Sequence, residues 1–346
     1  MSTGRRRALV AAAGVVVVVT AVSAALARGG SGGTSTSATD AGPWIERAIK
    51  PAGPATPVDP ERWTGPQGRT GQFVVGCDYS HSGSNDPIVH FGMAGMSHRH
   101  DFYGSVSTDE DSTPEKMAKG DTTCDKKVDD AAYWQPTLYD HDEVVEPMDL
   151  HAYYRAAPGV DPQDVEPFPF GLALIAGDMT ATTPQAGDAT GWTCGSRTDL
   201  HDDPPTCTPS APLHLVLTFQ DCWDGQYLDS ADHRSHVAYS KGGECPTTHP
   251  VHIPQLTTSI RFPIWNGGHD LKLASGNIYS AHGDFLNAWD PAGLKREIDG
   301  CIKRGVVCDL ASNREEEDLF ASGPLPTKAE AEAADEANGS KADRAN

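Results

Sequence analysis

Three short histidine-centred segments, far apart in the chain, carry the side chains best suited to chemistry. They are Ser97-His98-Arg99-His100-Asp101-Phe102, Asp232-His233-Arg234-Ser235-His236 and Ser280-Ala281-His282-Gly283-Asp284-Phe285. Imidazole transfers protons near neutral pH and binds first-row transition metals. His98 and His100 are two apart, which places both rings on one face of a strand. His233 and His236 are three apart, which brings them together on a helical turn. His282 lies between the small residues Ala281 and Gly283, so its ring is approachable. Asp101, Asp232 and Asp284 flank these rings and are candidates to orient their tautomers.

These residues suggest one cleft lined by His98, His100, His236 and His282. One imidazole would act there as general acid or base, with Asp101 or Asp232 as its orienting carboxylate. Arg99 or Arg234 would neutralise an anionic sugar or a developing charge. A metal at these residues stays open, since neither His-Glu-x-x-His nor a duplicated carboxylate motif occurs. No Gly-x-Gly-x-x-Gly or Walker-type loop is present, which argues against nucleotide cofactors. The absence of a Gly-x-Ser-x-Gly elbow disfavours that type of serine hydrolase.

A second cluster, Asp221-Cys222-Trp223-Asp224-Gly225 with Tyr227 and Asp229, mixes aromatics with carboxylates. Sugar clefts have this composition, and so do ordinary disulfide corners. Asp224 and Asp229 would be an acid and base pair only if they faced each other. The aromatic clusters Tyr133-Trp134-Gln135-Pro136, Phe168-Pro169-Phe170-Gly171 and Asn287-Ala288-Trp289-Asp290 read as core.

The elements that must position these groups follow from pattern and composition. Arg5-Arg6-Arg7, the apolar stretch Ala8 to Val22 and Ala25-Leu26-Ala27 read as a signal peptide over residues 1–27, with an uncleaved anchor as the alternative. Residues 28–70 are a Gly/Ser/Pro linker expected to be disordered. Residues 71–312 form one globular domain, and 313–346 an acidic, solvated tail. The formal charge of −21 becomes −24 without the three leader arginines. That excludes nucleic acid as a partner and leaves the membrane to the N-terminal segment alone.

The fold expected is mainly β, a β-sandwich or jelly roll with long loops, a C-terminal helix and disulfides. Gln72–Val75, Leu213–Phe219 and Leu256–Phe262 read as strands, and Leu271–Leu273 as the hairpin partner of the last. Asp290 as N-cap, Pro291 at the first turn, Leu294, Ile298 and Ile302 every four residues, and Gly305 as stop mark the helix. Eight cysteines without a C-x-x-C pair imply a disulfide framework. Nearest-neighbour pairing joins Cys77–Cys124, Cys194–Cys207, Cys222–Cys245 and Cys301–Cys308.

Several of these segments, in order, resemble the DUF1996 domain. They are Phe73-Val74-Val75-Gly76-Cys77, Asn85-Asp86-Pro87-Ile88-Val89, Ser97 to Gly104, Ala132 to Tyr139, Asp221 to Gly225, Asp232 to His236 and Ser280 to Phe285. The resemblance implies a secreted or cell-surface protein and supplies no reaction or catalytic residues. Two readings stand from the sequence. One is a secreted carbohydrate-active enzyme acting on a polysaccharide or cell-wall glycan. The other is a non-catalytic envelope module that binds glycan or a metal ion.

Overall fold

A computed structural model of the 346-residue chain describes residues 71–185, 189–195 and 199–308. All of them fall in the second of the two units into which the chain divides, Thr39–Asn346. The expected leader (1–27), linker (28–70) and tail (313–346) lie outside the described residues.

The architecture is mainly β, organised by one long strand. Gln72–Gly83 belongs to two half-sheets at once. Its first half pairs antiparallel with Asp149–Arg155 and parallel with Val307–Cys308. Asp149–Arg155 continues to Gln255–Arg261, His214–Thr218 and Thr190–Thr193. Past a register shift between Tyr79 and His81, the second half pairs with His100–Gly104. From there the ladder runs through Ala132–Pro136 and His282–Leu286 to Ala173–Gly177. A bulge of this kind sharpens the local twist and bends the strand, and the ten-stranded sheet folds over on itself.

The two half-sheets then pack face to face, as a sandwich. Phe285 meets Phe219 with ring centroids 6.5 Å apart, and Phe168 at 5.5 Å. A Cβ on Gly283 would lie 2.3 Å from Leu217 Cδ1, so the half-sheets approach closely there. The core also holds a polar knot. Tyr133 Oη donates to Asp129 Oδ2 at 2.7 Å and is bonded to Tyr154, whose hydroxyl accepts from Trp289 Nε1 at 3.2 Å. Full burial pushes the Asp129 carboxyl well up, and these bonds satisfy it where water cannot reach.

The C-terminal helix forms as its caps dictate. Asp290 Oδ2 accepts from Gly293 N at 2.7 Å, and Pro291 opens Pro291–Glu297. A π-helical turn, Ile298–Ile302, extends it, and Gly305 follows at φ +68°. The four disulfides pair nearest neighbours: Cys77–Cys124, Cys194–Cys207, Cys222–Cys245 and Cys301–Cys308.

Three local expectations need correction. Leu271–Leu273 pairs with Leu138–Asp140 rather than with the preceding strand; Leu138–Asp140 in turn pairs with Glu143–Val145, so the short strand joins a small separate sheet. His98 precedes its strand, which starts at His100. His233 and His236 lie in an irregular turn, not on a helix.

Candidate metal centre

Strand alternation builds the floor of the site. In His100–Gly104, Ala132–Pro136, Ala173–Gly177 and His282–Leu286, one face points into the sandwich with Tyr103, Tyr133, Leu174 and Phe285. The opposite face carries Phe102, Trp134, Ile175 and Leu286, which form a second apolar cluster with Ile88 and Phe170. Period-two alternation puts His100, His282 and Asp284 on this outer face as well. The loop Asn85–His98 covers it and brings His98 over the two strand histidines.

The three rings converge. His98 and His282 place their Nε2 atoms 3.2 Å apart. Ring centroids lie at 4.2 Å for His98–His100, 5.0 Å for His98–His282 and 5.8 Å for His100–His282. One nitrogen from each falls within 4.8 Å of the others. Two imidazole nitrogens bound to one zinc ion at about 2.05 Å and about 109° are about 3.3 Å apart. The His98–His282 spacing fits that value.

Backbone carbonyls fix the tautomers of the two buried rings. His100 Nδ1 meets Asn85 O at 3.0 Å, and His282 Nδ1 meets Ser280 O at 2.9 Å. A carbonyl can only accept, so both Nδ1 atoms carry the proton and both Nε2 atoms keep a lone pair. His100 Nε2 is buried with no hydrogen-bond partner. Carbonyls on the far nitrogen are how proteins orient metal-binding imidazoles.

Electrostatics keep the rings neutral. Burial, then the His90 charge, lowers the His98 pKa to about 4. Burial lowers His282 to about 3, against the bond to Ser280. His100 falls well below its ordinary value, first through burial and then through His98 and His282. Neutral imidazole is the form that donates to a metal.

Carboxylates crowd the same face. Asp284 is 1% exposed and neither of its oxygens has a hydrogen-bond partner. Burial and the Asp86 charge push its carboxyl well up, while Arg234 opposes the shift. Asp86 Oδ1 caps the covering loop by accepting from Ile88 N and Val89 N, each at 2.9 Å. The sequence marks Asp284 as a carboxylate flanking His282, whereas Asp86 and His90 carry no such signal.

The other expected site residues lie elsewhere. His236 is buried, with Nε2 donating to Ala173 O at 2.7 Å and Nδ1 on Ser230 Oγ at 3.0 Å. Asp101, one residue from His100, points to the other side of the strand. Its Oδ1 accepts from Ser82 Oγ at 2.6 Å and Thr137 Oγ1 at 2.8 Å. Asp232 is exposed and caps the turn around it, with Oδ1 accepting from Ser230 Oγ, Ser235 Oγ, Arg234 N and Ser235 N. The carboxylate that orients a ring in this turn is Asp229, 2.8 Å from His233 Nδ1. Asp224 Oδ1 caps its own turn by accepting from Gln226 N and Tyr227 N.

Among the described residues, two further groupings have metal-ligand composition, Cys222–Cys245–His252 and Cys77–Cys124–Asp129. Their sulfurs are tied up in disulfides, so the histidine trio is the grouping made of free donor atoms. No helix among the described residues is long and apolar enough to cross a membrane. A family model described as "Domain of unknown function (DUF1996)" matches residues 86–289, more than half of the chain. No curated protein and no solved structure matches.

Proposed function

The chain belongs to the DUF1996 family, and from that premise we propose that it is an exported metal-binding protein in which His98, His100 and His282 hold one divalent transition-metal ion. Four disulfides are the usual mark of an oxidising, extracellular compartment, which supports export. Of the two readings reached from the sequence, this is the metal half of the envelope module.

The observation that carries it is the set of lone pairs. Two buried rings have their Nδ1 protons committed to main-chain carbonyls, and a third ring brings its Nε2 to 3.2 Å from one of them. Three imidazoles without thiolate suit zinc or copper(II). His98 is the half-buried member, so the ion's open position lies on its side of the cluster. Asp284 and Asp86 lie on the same face as the cluster; burial raises both carboxyls, and a bound cation would favour their ionised forms.

The test is calorimetric titration of the full chain, stripped with chelator, with zinc and with copper(II). The expected result is one ion per chain. Since losing an outer-shell partner alone costs about 10–100-fold, His100→Ala and His282→Ala should each weaken binding by at least about 100-fold. Absence of saturable binding, or unchanged affinity in both variants, would refute the reading.

A further inference from the structure

A polar cavity of about 520 Å³ adjoins the histidine cluster. Gly177, Asp178, Thr182, Gln220, Arg234 and Tyr239 are among its walls. Gly177 is the ladder partner of His282, so the cavity starts where the proposed ion site ends.

Its inner wall is built around one carbonyl. Ile175 O accepts from Gln220 Nε2 at 3.0 Å and from Arg234 Nη1 at 3.4 Å. Gln220 is only 6% exposed, and its Oε1 has no hydrogen-bond partner. Gln220 therefore buttresses the wall from behind, and Arg234 and Tyr239 are the side chains that face the cavity. Arg234 lines the cavity, and its bond to Ile175 O ties it to the strand that pairs with His282–Leu286.

The opposite features define what fits. Tyr239 Oη donates to Thr218 O at 2.8 Å, which pins the ring, yet the residue stays 36% exposed. A fixed, half-exposed aromatic face stacks on an apolar ring face while polar groups read its edges. Arg234 presents a planar fork that matches a carboxylate. Asp178 is the anionic member of the wall and its Oδ1 is occupied by Thr180 N and Oγ1. Among the described wall residues one cation, Arg234, stands with one carboxylate, Asp178, which favours a singly charged ligand over a dianionic phosphate.

We propose that this cavity binds a carboxylate-bearing sugar, a uronic acid unit of an anionic polysaccharide. Arg234 takes the carboxylate and Tyr239 stacks on the sugar face. The proposal deepens the metal reading, since it places a glycan unit beside the ion, but its binding contacts do not require the ion.

The test is NMR titration of the full chain with sodium glucuronate, glucose and inorganic phosphate, each with and without zinc. Glucuronate should shift the Arg234 side-chain and Tyr239 resonances at millimolar concentration. Glucose and phosphate should bind at least about tenfold more weakly. Arg234→Met should weaken glucuronate by at least about tenfold with an unchanged fold, checked by its amide spectrum. Equal binding of phosphate, no shifts with glucuronate, or full affinity in Arg234→Met would overturn the proposal. Glucuronate binding by a chain that takes up no zinc would sustain it and sink the metal reading alone.

Discussion

His98 Nε2 and His282 Nε2 meet at 3.2 Å across 184 residues of sequence. Because Ser280 O holds the proton on His282 Nδ1, His98 must supply the hydrogen of this contact in the metal-free protein, from its own Nε2. An ion needs that nitrogen's lone pair, so loading must move the His98 proton to Nδ1. Long-range ¹⁵N imidazole spectra of chelated and zinc-loaded protein report this directly. We expect His100 and His282 to keep their Nδ1–H tautomers and His98 alone to switch. An Nε2–H tautomer of His282 in either state would contradict the assignment.

His236 should behave as a structural residue. Both of its ring nitrogens are bonded, one of them to Ala173 O on the edge strand of the site. His236→Ala leaves that carbonyl unpaired and opens a cavity, a loss of about 2–4 kcal/mol. Denaturant unfolding should show that loss, while zinc affinity stays within about threefold. A collapse of zinc binding in a well-folded His236→Ala protein would place this ring in the centre instead.

Gly177 holds the junction between ion site and cavity. It sits at φ +77°, and an added Cβ would lie 2.4 Å from Ala281 O, beside His282. Gly177→Ala combines left-handed strain with that contact and should cost at least about 2 kcal/mol. It should also weaken zinc binding by displacing residues 281 and 282. A variant with wild-type melting temperature and zinc affinity would show that the local backbone yields freely.

His214 predicts a pH dependence of stability remote from the centre. Partial burial, then the Arg261 charge across the ladder, lowers its pKa to about 4. Unfolding restores it to about 6.5, so the unfolded chain binds the extra proton first. The stability this ring contributes is present above pH 6.5 and is lost as pH falls towards 4. With solvent screening the loss is roughly 1–2 kcal/mol. His214→Gln should flatten the fall of unfolding free energy between pH 6.5 and 4. An unchanged slope would remove His214 as a source of acid lability.

The strand pattern, the helix caps and the nearest-neighbour cysteines were readable because each is a local signal. Asp290, Pro291 and Leu294 specify the helix within a single turn. Leu256–Phe262 was legible as a strand, although its alternation suggested a half-buried one and the structure buries both faces. Leu271–Leu273 was misread for the same reason. Adjacency in sequence favours a hairpin, but its partner Leu138–Asp140 lies over a hundred residues away. The site divides similarly. His98, His100 and His282 were visible as types and spacings, whereas their convergence depends on long-range pairing around Ala132–Pro136. His236 carries the same side chain as its neighbours, and only the position of Ala173 O shows where its ring is committed. Asp86 caps a turn beside Pro87; that this turn covers the histidines is a tertiary fact.

X-ray absorption at the metal edge of the loaded full-length chain reads the ligand shell itself. Three imidazole nitrogens are expected at about 2.0–2.1 Å, with one imidazole fewer in His282→Ala. A shell of oxygen ligands with fewer than two imidazoles, or a spectrum unchanged by that substitution, would rule out the three-histidine centre.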